Sequence, residues 1–293
     1  MTSTKNDTNR RRKPHRLRFI ILLLLLICII ILIDSNTRIV TTEYELVYST
    51  LPEPFDGFRI TALSDIHASN FGQDNEKLIS KIKATQPDAI AITGDLIDRY
   101  INKVSADEQL RRAKALVRAL TPIAPVYYIT GNHEWASGHP HDLFSALQET
   151  DVTILRNKYI SFETGGASII IAGTDDRNGP AGMITPKAFI ENIYEQETDP
   201  FIVLLEHRND NLELYSALGV PLVLCGHAHG GIVRLPFTDG LIGPARELFP
   251  THTSGVYTQG GTSMLVSRGI GNHTGAPRFL NNPQIVVAVL KRG

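Results

Sequence analysis

The sequence predicts an α/β domain preceded by one N-terminal transmembrane helix. Three observations predict it: a wholly apolar run near the N-terminus, short Ile- and Val-rich runs that recur from residue 58 onward, and amphipathic stretches between the early runs. Of the 293 residues, 42% are hydrophobic and 20% are charged, which is typical of a globular protein. The two cysteines, Cys28 and Cys225, are too few for a disulfide framework.

The first 18 residues form a basic tail. They contain seven Lys or Arg residues against Asp7 alone, a balance of about +6. Because the whole chain has a formal net charge of −1, the remainder carries about −7. An acidic body lacks the basic face that duplex nucleic acid requires, so we expect no such partner.

The apolar run, residues 19–33, has no polar side chain. Its 15 residues are fewer than the roughly 20 usual for a membrane span, but Leu17 extends it and Arg18 can place its charge at the interface. The alternatives are an uncleaved signal anchor and a cleavable signal peptide. No small-x-small cleavage site follows Ile33, which favours the anchor.

The charges on the two sides of this run predict its orientation. The basic tail precedes it, and Asp34, Glu43 and Glu45 follow it. By the positive-inside rule, we expect a single-pass protein of the cytoplasmic membrane, with its N-terminus in the cytoplasm and the rest outside. The predicted organisation is a cytoplasmic tail (1–18), a transmembrane anchor (19–33), a stalk with some extended structure (34–56) and one domain (57–293).

Within the domain, short apolar runs predict buried strands and amphipathic stretches predict helices. The predicted strands are 59–63, 89–93, 126–130, 167–172, 201–205, 222–225, 264–267 and 285–290. The predicted helices are 75–85, 106–120, 141–148, 186–194 and 209–217. Early alternation of strand and helix favours parallel pairing. The strand-rich later part can carry antiparallel pairs.

Polar side chains follow five of the predicted strands at the points where those strands end. They are Asp65 and His67, Asp95, Asn132 and His133, His207, and His227 and His229. In open α/β sheets, sites form at the carboxyl ends of the strands. In an extended segment residues i and i+2 share a side, so we expect Asp65 and His67 to reach one ion. Carboxylate, imidazole and amide ligands without thiolate suit Mn, Fe or Zn.

In this order the motifs resemble the calcineurin-like metallophosphoesterase family. The blocks are Asp65-x-His67, Gly94-Asp95, Gly131-Asn132-His133-Glu134, His207 and Gly226-His227-x-His229, and the resemblance spans about residues 58–290. The segment 226–236 further resembles the bacterial membrane-associated subgroup. The resemblance implies a four-layer α/β/β/α sandwich of two mixed sheets with two divalent metal ions at one edge.

The resemblance also implies a role for each residue. The implied ligands of the first metal ion are Asp65, His67 and His229. Those of the second ion are Asn132, His207 and His227, and Asp95 binds both ions. His133 resembles the family's catalytic histidine, with Asp65 as a partner that orients it.

The implied activity is hydrolysis of a phosphodiester, phosphomonoester or pyrophosphate by metal-activated hydroxide. Because the anchor places the site near a membrane, a lipid or cell-envelope substrate is one alternative, including a UDP-2,3-diacylglucosamine-type pyrophosphatase or other phospholipid hydrolase. A second alternative is a non-catalytic metal-containing module that binds the cell envelope. The sequence leaves open the substrate, the metal identities and the oligomeric state.

Overall fold

The computed structural model describes residues 13–100, 104–235, 238–243, 246–272 and 277–293. Most of the predicted basic tail, residues 1–12, lies outside the described residues. The helices are α1 Lys13–Thr37, α2 Glu76–Ala84, α3 Ala106–Leu120, α4 Asn132–Ala136, α5 Pro140–Gln148, α6 Pro186–Gln196 and α7 Leu212–Ala217. The strands are β1 Val40–Tyr48, β2 Arg59–Leu63, β3 Ala89–Thr93, β4 Val126–Ile129, β5 Thr153–Ile154, β6 Lys158–Thr164, β7 Ala167–Gly173, β8 Ile202–Leu205, β9 Leu222–Cys225, β10 Gly255–Gln259, β11 Thr262–Val266 and β12 Gln284–Arg292.

The strands form two six-stranded mixed sheets. The first has the order β1-β12-β2-β3-β4-β5 and the second β10-β11-β9-β8-β7-β6. Strands β2 to β5 run parallel, whereas β12 is antiparallel to β2. In the second sheet β7, β8, β9 and β11 run parallel, and the outer strands β6 and β10 are antiparallel to their neighbours. Two of the antiparallel pairs lie wholly after residue 157, where the sequence allowed for them, and the third joins β12 to the early strand β2.

Three hydrophobic clusters hold the layers together. One lies between the sheets and contains Ala91, Leu205 and Leu224. A second packs α2, α3 and α5 on the outer face of the first sheet, and a third packs α6 and α7 on the outer face of the second. The order of layers is therefore helix, sheet, sheet, helix, which confirms the predicted four-layer sandwich.

Strand β1 lies in the segment that the sequence predicted as a stalk. It pairs in parallel with β12 over nine residues, from Val40 opposite Gln284 to Tyr48 opposite Arg292. Its side chains alternate between exposed and more buried positions, as expected for an edge strand. Since Leu46 and Tyr48 enter the core between the sheets, the folded domain begins directly after α1.

The remaining elements that the sequence did not predict are short or peripheral. Strands β6 and β10 are outer strands with partly exposed faces, so their apolar residues do not form continuous runs. Strand β5 has only two residues, and α4 only five.

Helix α1 contains the whole predicted transmembrane segment. Residues His15–Thr37 are long and apolar enough to cross a membrane by length and composition. The Leu and Ile side chains of 19–30 are exposed in the protein alone.

Candidate metal centre

Five strands deliver polar side chains to one edge of the sandwich. Strands β2, β3 and β4 of the first sheet and β8 and β9 of the second end there. The structure brings together all eight residues predicted for the site. Seven are buried and His227 is half-buried: Asp65, His67, Asp95, Asn132, His133, His207, His227 and His229.

The first group of potential ligands contains Asp65, His67 and His229. One nitrogen or oxygen atom from each lies within 4.8 Å of the others. The Nε2 atoms of His67 and His229 are 3.2 Å apart, and His229 Nε2 is 3.3 Å from Asp65 Oδ1. Asp65 Oδ1 is buried with no hydrogen-bond partner among the described residues. A buried acceptor facing two imidazole nitrogens fits a bound cation.

The second group contains Asp95, His207 and His227, with Asn132 beside them. His207 Nε2 lies 3.4 Å from Asp95 Oδ2, 3.2 Å from His227 Nδ1 and 3.0 Å from Asn132 Oδ1. His207 Nδ1 is 2.8 Å from the Thr93 carbonyl oxygen. When this bond fixes the proton on Nδ1, the lone pair of Nε2 faces the group, as metal-binding histidines require.

Asp95 lies between the two groups. Its Oδ2 atom is 3.8 Å from His67 Nε2 and 3.4 Å from His207 Nε2, and its Oδ1 accepts the backbone N–H of His133 at 2.8 Å. The two groups are therefore joined by one carboxylate, the arrangement needed to hold two divalent ions.

The backbone brings these side chains together by a route that the sequence analysis did not anticipate. Asp65 and His67 were expected to reach one ion from an extended segment. Both instead adopt left-handed backbone, with φ of 52° and 48°, and Asp95, His227 and His229 do the same. Such backbone is costly for residues other than glycine and is found where function requires it. Successive tight turns, rather than strand alternation, aim these ligands inward.

Two glycines allow the strand ends to approach closely. A Cβ atom on Gly131 would lie 2.3 Å from Asp95 Oδ1, and one on Gly226 would lie 1.8 Å from Ser64 Oγ. Only glycine fits at these points.

Glu134 supports the centre and was not predicted to do so. Its Oε2 accepts the backbone N–H groups of Gly131 at 2.7 Å and Asp95 at 3.0 Å, and its Oε1 accepts that of Leu96 at 2.6 Å. Burial and the charge of Asp95 raise the pKa of Glu134 to about 7. The side chain thus fastens the turn after β3 to the start of α4.

His133 lies at the centre, but its carboxylate partner is not the one expected. The sequence analysis named Asp65, whereas His133 Nδ1 is 2.9 Å from Asp98 Oδ1. Its Nε2 lies 4.0 Å from Asp95 Oδ2 and so faces the metal ligands. Burial acts to raise the pKa of Asp98, but the hydrogen bond with His133, the charge of His67 and the backbone N–H of Tyr100 together lower that pKa. No sequence signal marked Asp98 beyond its place three residues after Asp95.

Burial and neighbouring charges set the protonation of the histidines. Burial acts to lower the pKa of His207, but the charge and hydrogen bond of Asp95, together with the charges of Asp65 and Asp176, raise that pKa to about 10. Burial and the positive charge of His207 lower the pKa of His227 to about 2. His227 is therefore neutral, whereas His207 would release a proton on binding a metal ion, because imidazole binds metals in its neutral form. Burial raises the pKa of Asp65.

Two mixed sheets with paired Asp and His clusters at one edge define a metal-dependent phosphoesterase. The chain belongs to the calcineurin-like phosphoesterase family, whose model matches residues 58–231. This match confirms the family and the enzymatic class that the sequence motifs predicted.

Relatives extend the match beyond that segment. The Bacillus subtilis metallophosphoesterase YkuE is 32% identical over 261 residues, covering 86% of each chain. The Campylobacter jejuni metallophosphoesterase Cj0846 is 28% identical, covering 87% of this chain and 65% of its own length. A Danio rerio transmembrane protein with a metallophosphoesterase domain is 28% identical over 64% of this chain and 44% of its own length.

Proposed function

We propose that the chain is a membrane-anchored phosphoesterase whose two metal ions share Asp95. The ligands of the first ion are Asp65, His67 and His229, and those of the second are Asn132, His207 and His227. The observation that carries this proposal is the meeting of two buried ligand groups at one carboxylate. The absence of thiolate among these ligands favours Mn, Fe or Zn.

In this proposal His133 is the catalytic side chain. When bound, the two ions polarise the phosphoryl oxygens and acidify the attacking water. Asp98 holds Nδ1 of the imidazole, so that Nε2 is turned toward the metal ligands. From there His133 protonates the leaving oxygen or stabilises the phosphoryl charge. Hydrolysis of a phosphodiester, phosphomonoester or pyrophosphate follows from the same arrangement.

A cleft lined in part by Glu206 and Arg208, the neighbours of His207 in the chain, suits a substrate with charged and apolar parts. Its volume is about 410 Å³, and it is lined by Arg177, Met183, Ile184, Arg208 and Leu214. Arg208 follows His207 in the chain, and it is held 2.7 Å from Asp176 Oδ2. We propose that this cleft receives the part of the substrate beyond the phosphate.

Hydrolysis assays with the full chain in detergent test the proposed chemistry. We expect Mn-dependent hydrolysis of bis-p-nitrophenyl phosphate or p-nitrophenyl phosphate that a chelator abolishes, and the preferred ester distinguishes diesterase from monoesterase. His133→Gln lowers the rate about 100-fold or more, whereas His141→Gln, at an exposed histidine of α5, is the matched control. Equal activity in His133→Gln and wild type contradicts the catalytic role of His133. A folded, Mn-loaded wild type that hydrolyses neither ester favours the binding module.

We further propose that α1 anchors the enzyme in the cytoplasmic membrane as a single span, with residues 34–293 outside the cytoplasm. The basic tail before the span supports this orientation. A reporter active only outside the cytoplasm, fused after Gly293, tests it. Reporter activity supports the proposal. A cytoplasmic C-terminus contradicts it and favours a substrate of the cytoplasmic leaflet, such as UDP-2,3-diacylglucosamine.

A further inference from the structure

The end of α1 is fastened directly to the catalytic domain. Asn36 Nδ2 donates to the Arg278 carbonyl at 2.9 Å, and Asn36 Oδ1 accepts the Arg278 N–H at 3.0 Å. Asn282 Nδ2 donates to the Asp34 carbonyl at 2.8 Å, and Ser35 is buried. Because the apolar run ends at Ile33, these contacts begin at the residue that follows it, Asp34.

A layer of loops adjoins this attachment point. We define the loop layer as residues 232–235, 241–243, 247–249 and 277–282. Backbone hydrogen bonds join its four segments side by side: Arg234 N–H to Phe279 O at 3.0 Å, Leu241 N–H to Val233 O at 2.8 Å, and Phe249 N–H to Leu241 O at 3.0 Å. The segment that binds Asp34 and Asn36 is thus one side of the layer.

The loop layer exposes large apolar side chains. Leu248 and Phe249 are 71% and 72% exposed, and Leu235 and Leu280 are 45% and 37% exposed. Elsewhere in the described residues after α1, the exposed large apolar side chains lie in three separate segments: Val47, Tyr100 and Ile184. A group of such side chains on one region of the surface marks an interaction site.

We propose that the loop layer lies in the interfacial region of the lipid bilayer, as a second membrane contact beside α1. The proposal rests on the anchor proposed above. Of the 23 residues of the candidate span His15–Thr37, only the 15 of 19–33 are all apolar, and these extend about 22 Å as a helix, less than the roughly 30 Å of the hydrocarbon core. A short span attached without a stalk draws the adjoining surface toward the lipid. Exposed Leu and Phe side chains are the groups that enter this interface.

The same loop layer supports a metal ligand. Asn281 Nδ2 donates to the His229 carbonyl at 2.7 Å and to the Ile232 carbonyl at 3.2 Å. The buried Arg278 guanidinium donates to the carbonyls of Gly271 and Arg268 at 2.6 and 2.7 Å. The surface proposed to contact lipid is therefore joined by a direct hydrogen bond to His229 of the metal centre. This proximity favours phosphate esters held in the membrane as substrates.

Site-specific fluorescence in vesicles tests the contact. The full chain with Cys28→Ser is reconstituted in phosphatidylglycerol–phosphatidylethanolamine vesicles and labelled with an environment-sensitive dye at Leu248→Cys or Phe249→Cys. The native Cys225 is buried. Lipids carrying a spin label near the headgroup end of the acyl chain are the quencher. We expect a loss of about half or more of the emission at both positions, and little loss at the control Val47→Cys, an exposed position outside the loop layer and the site.

A probe at Leu24→Cys, within α1, separates failure of this inference from failure of the anchor. Quenching at Leu24→Cys with no more quenching at 248 and 249 than at 47 overturns the loop-layer contact and leaves the anchor intact. This is also the outcome if a second copy of the chain covers the layer. Absence of quenching at Leu24→Cys overturns both. Hydrolysis of a soluble ester by each labelled protein verifies that it is folded.

Discussion

At the scale of single residues, Asp98 determines how His133 faces the metal ligands. The bond between His133 Nδ1 and Asp98 Oδ1 is 2.9 Å long and buried. We predict that Asp98→Asn lowers kcat about 10- to 100-fold with little change in KM, because the imidazole loses its orienting carboxylate. Steady-state kinetics on a soluble phosphate ester measure this.

The chain contains a matched control for that substitution. His139 Nδ1 lies 3.0 Å from Asp142 Oδ2 in the same type of pair, but on the surface. Asp142→Asn is expected to leave kcat unchanged. An equal loss in both variants, or a rise in KM alone, is inconsistent with a positioning role for Asp98.

Tyr48 gives the protein a specific sensitivity to alkali. Burial raises the pKa of its hydroxyl to about 12, whereas the unfolded chain titrates near 10. Between these pH values the unfolded chain loses a proton that the folded protein keeps. The contribution of Tyr48 to the free energy of unfolding is therefore complete below pH 10, and up to about 2.7 kcal/mol of it is lost as the pH rises past 12. We predict that Tyr48→Phe flattens this decline. Urea unfolding at pH 8 and pH 11.5 measures the fall in the free energy of unfolding, and Tyr44→Phe on the same strand is the control. An equal fall in Tyr48→Phe and Tyr44→Phe contradicts the role given to Tyr48.

The principal site residues could be predicted from sequence because each follows an apolar run that reads as a strand. Asp95 and His207 are examples, and the structure brings both to one edge. Asp98 and Glu134 could not be predicted in the same way, because they act on a ring nitrogen and on backbone N–H groups. Those contacts depend on left-handed turns at positions such as Asp65, which no residue pattern indicated.

At the scale of elements, β1 shows why the sequence predicted a stalk in a segment that pairs with the first sheet. Its sequence alternates polar and apolar residues and carries Glu43 and Glu45 on more exposed positions, so it lacks the continuous apolar run that revealed the central strands. Helix α3 and strands β2, β3 and β9 were predicted to the residue, and the other elements predicted within the domain to within three residues at each end. The edge strand β1 instead depends on β12, a partner distant in sequence.

This placement of β1 predicts different behaviour for two soluble fragments. A fragment 57–293 lacks Leu46, Tyr48, Leu51 and Phe55, which are at most 7% exposed. At about 1.5–3 kcal/mol each, their burial contributes about 6–12 kcal/mol, comparable to the whole stability of a typical domain. We expect 34–293 to unfold cooperatively and 57–293 to aggregate or show no transition. Equal melting temperatures contradict a structural role for β1.

At the scale of the whole molecule, the metal centre joins the two sheets. Asp95 follows a strand of the first sheet and His207 a strand of the second, and their side chains lie 3.4 Å apart. Ions bound there would link the two sheets. An ion that binds only the folded state stabilises that state by about 2.7 kcal/mol when the free ion concentration is 100 times its Kd. Two ions would thus contribute about 5 kcal/mol.

We therefore predict that chelation lowers the Tm of the full chain in detergent by roughly 10 °C or more, and that added Mn restores it. Asp95→Asn abolishes most of this metal-dependent shift, because a single carboxylate serves both ions. Asp98→Asn, which changes a carboxylate that belongs to neither ligand group, keeps the shift while losing activity. Thermal unfolding of the three proteins with chelator and with Mn therefore separates metal binding from positioning of His133. A shift that survives in Asp95→Asn at full size would mean that the two ions bind independently of the carboxylate between them.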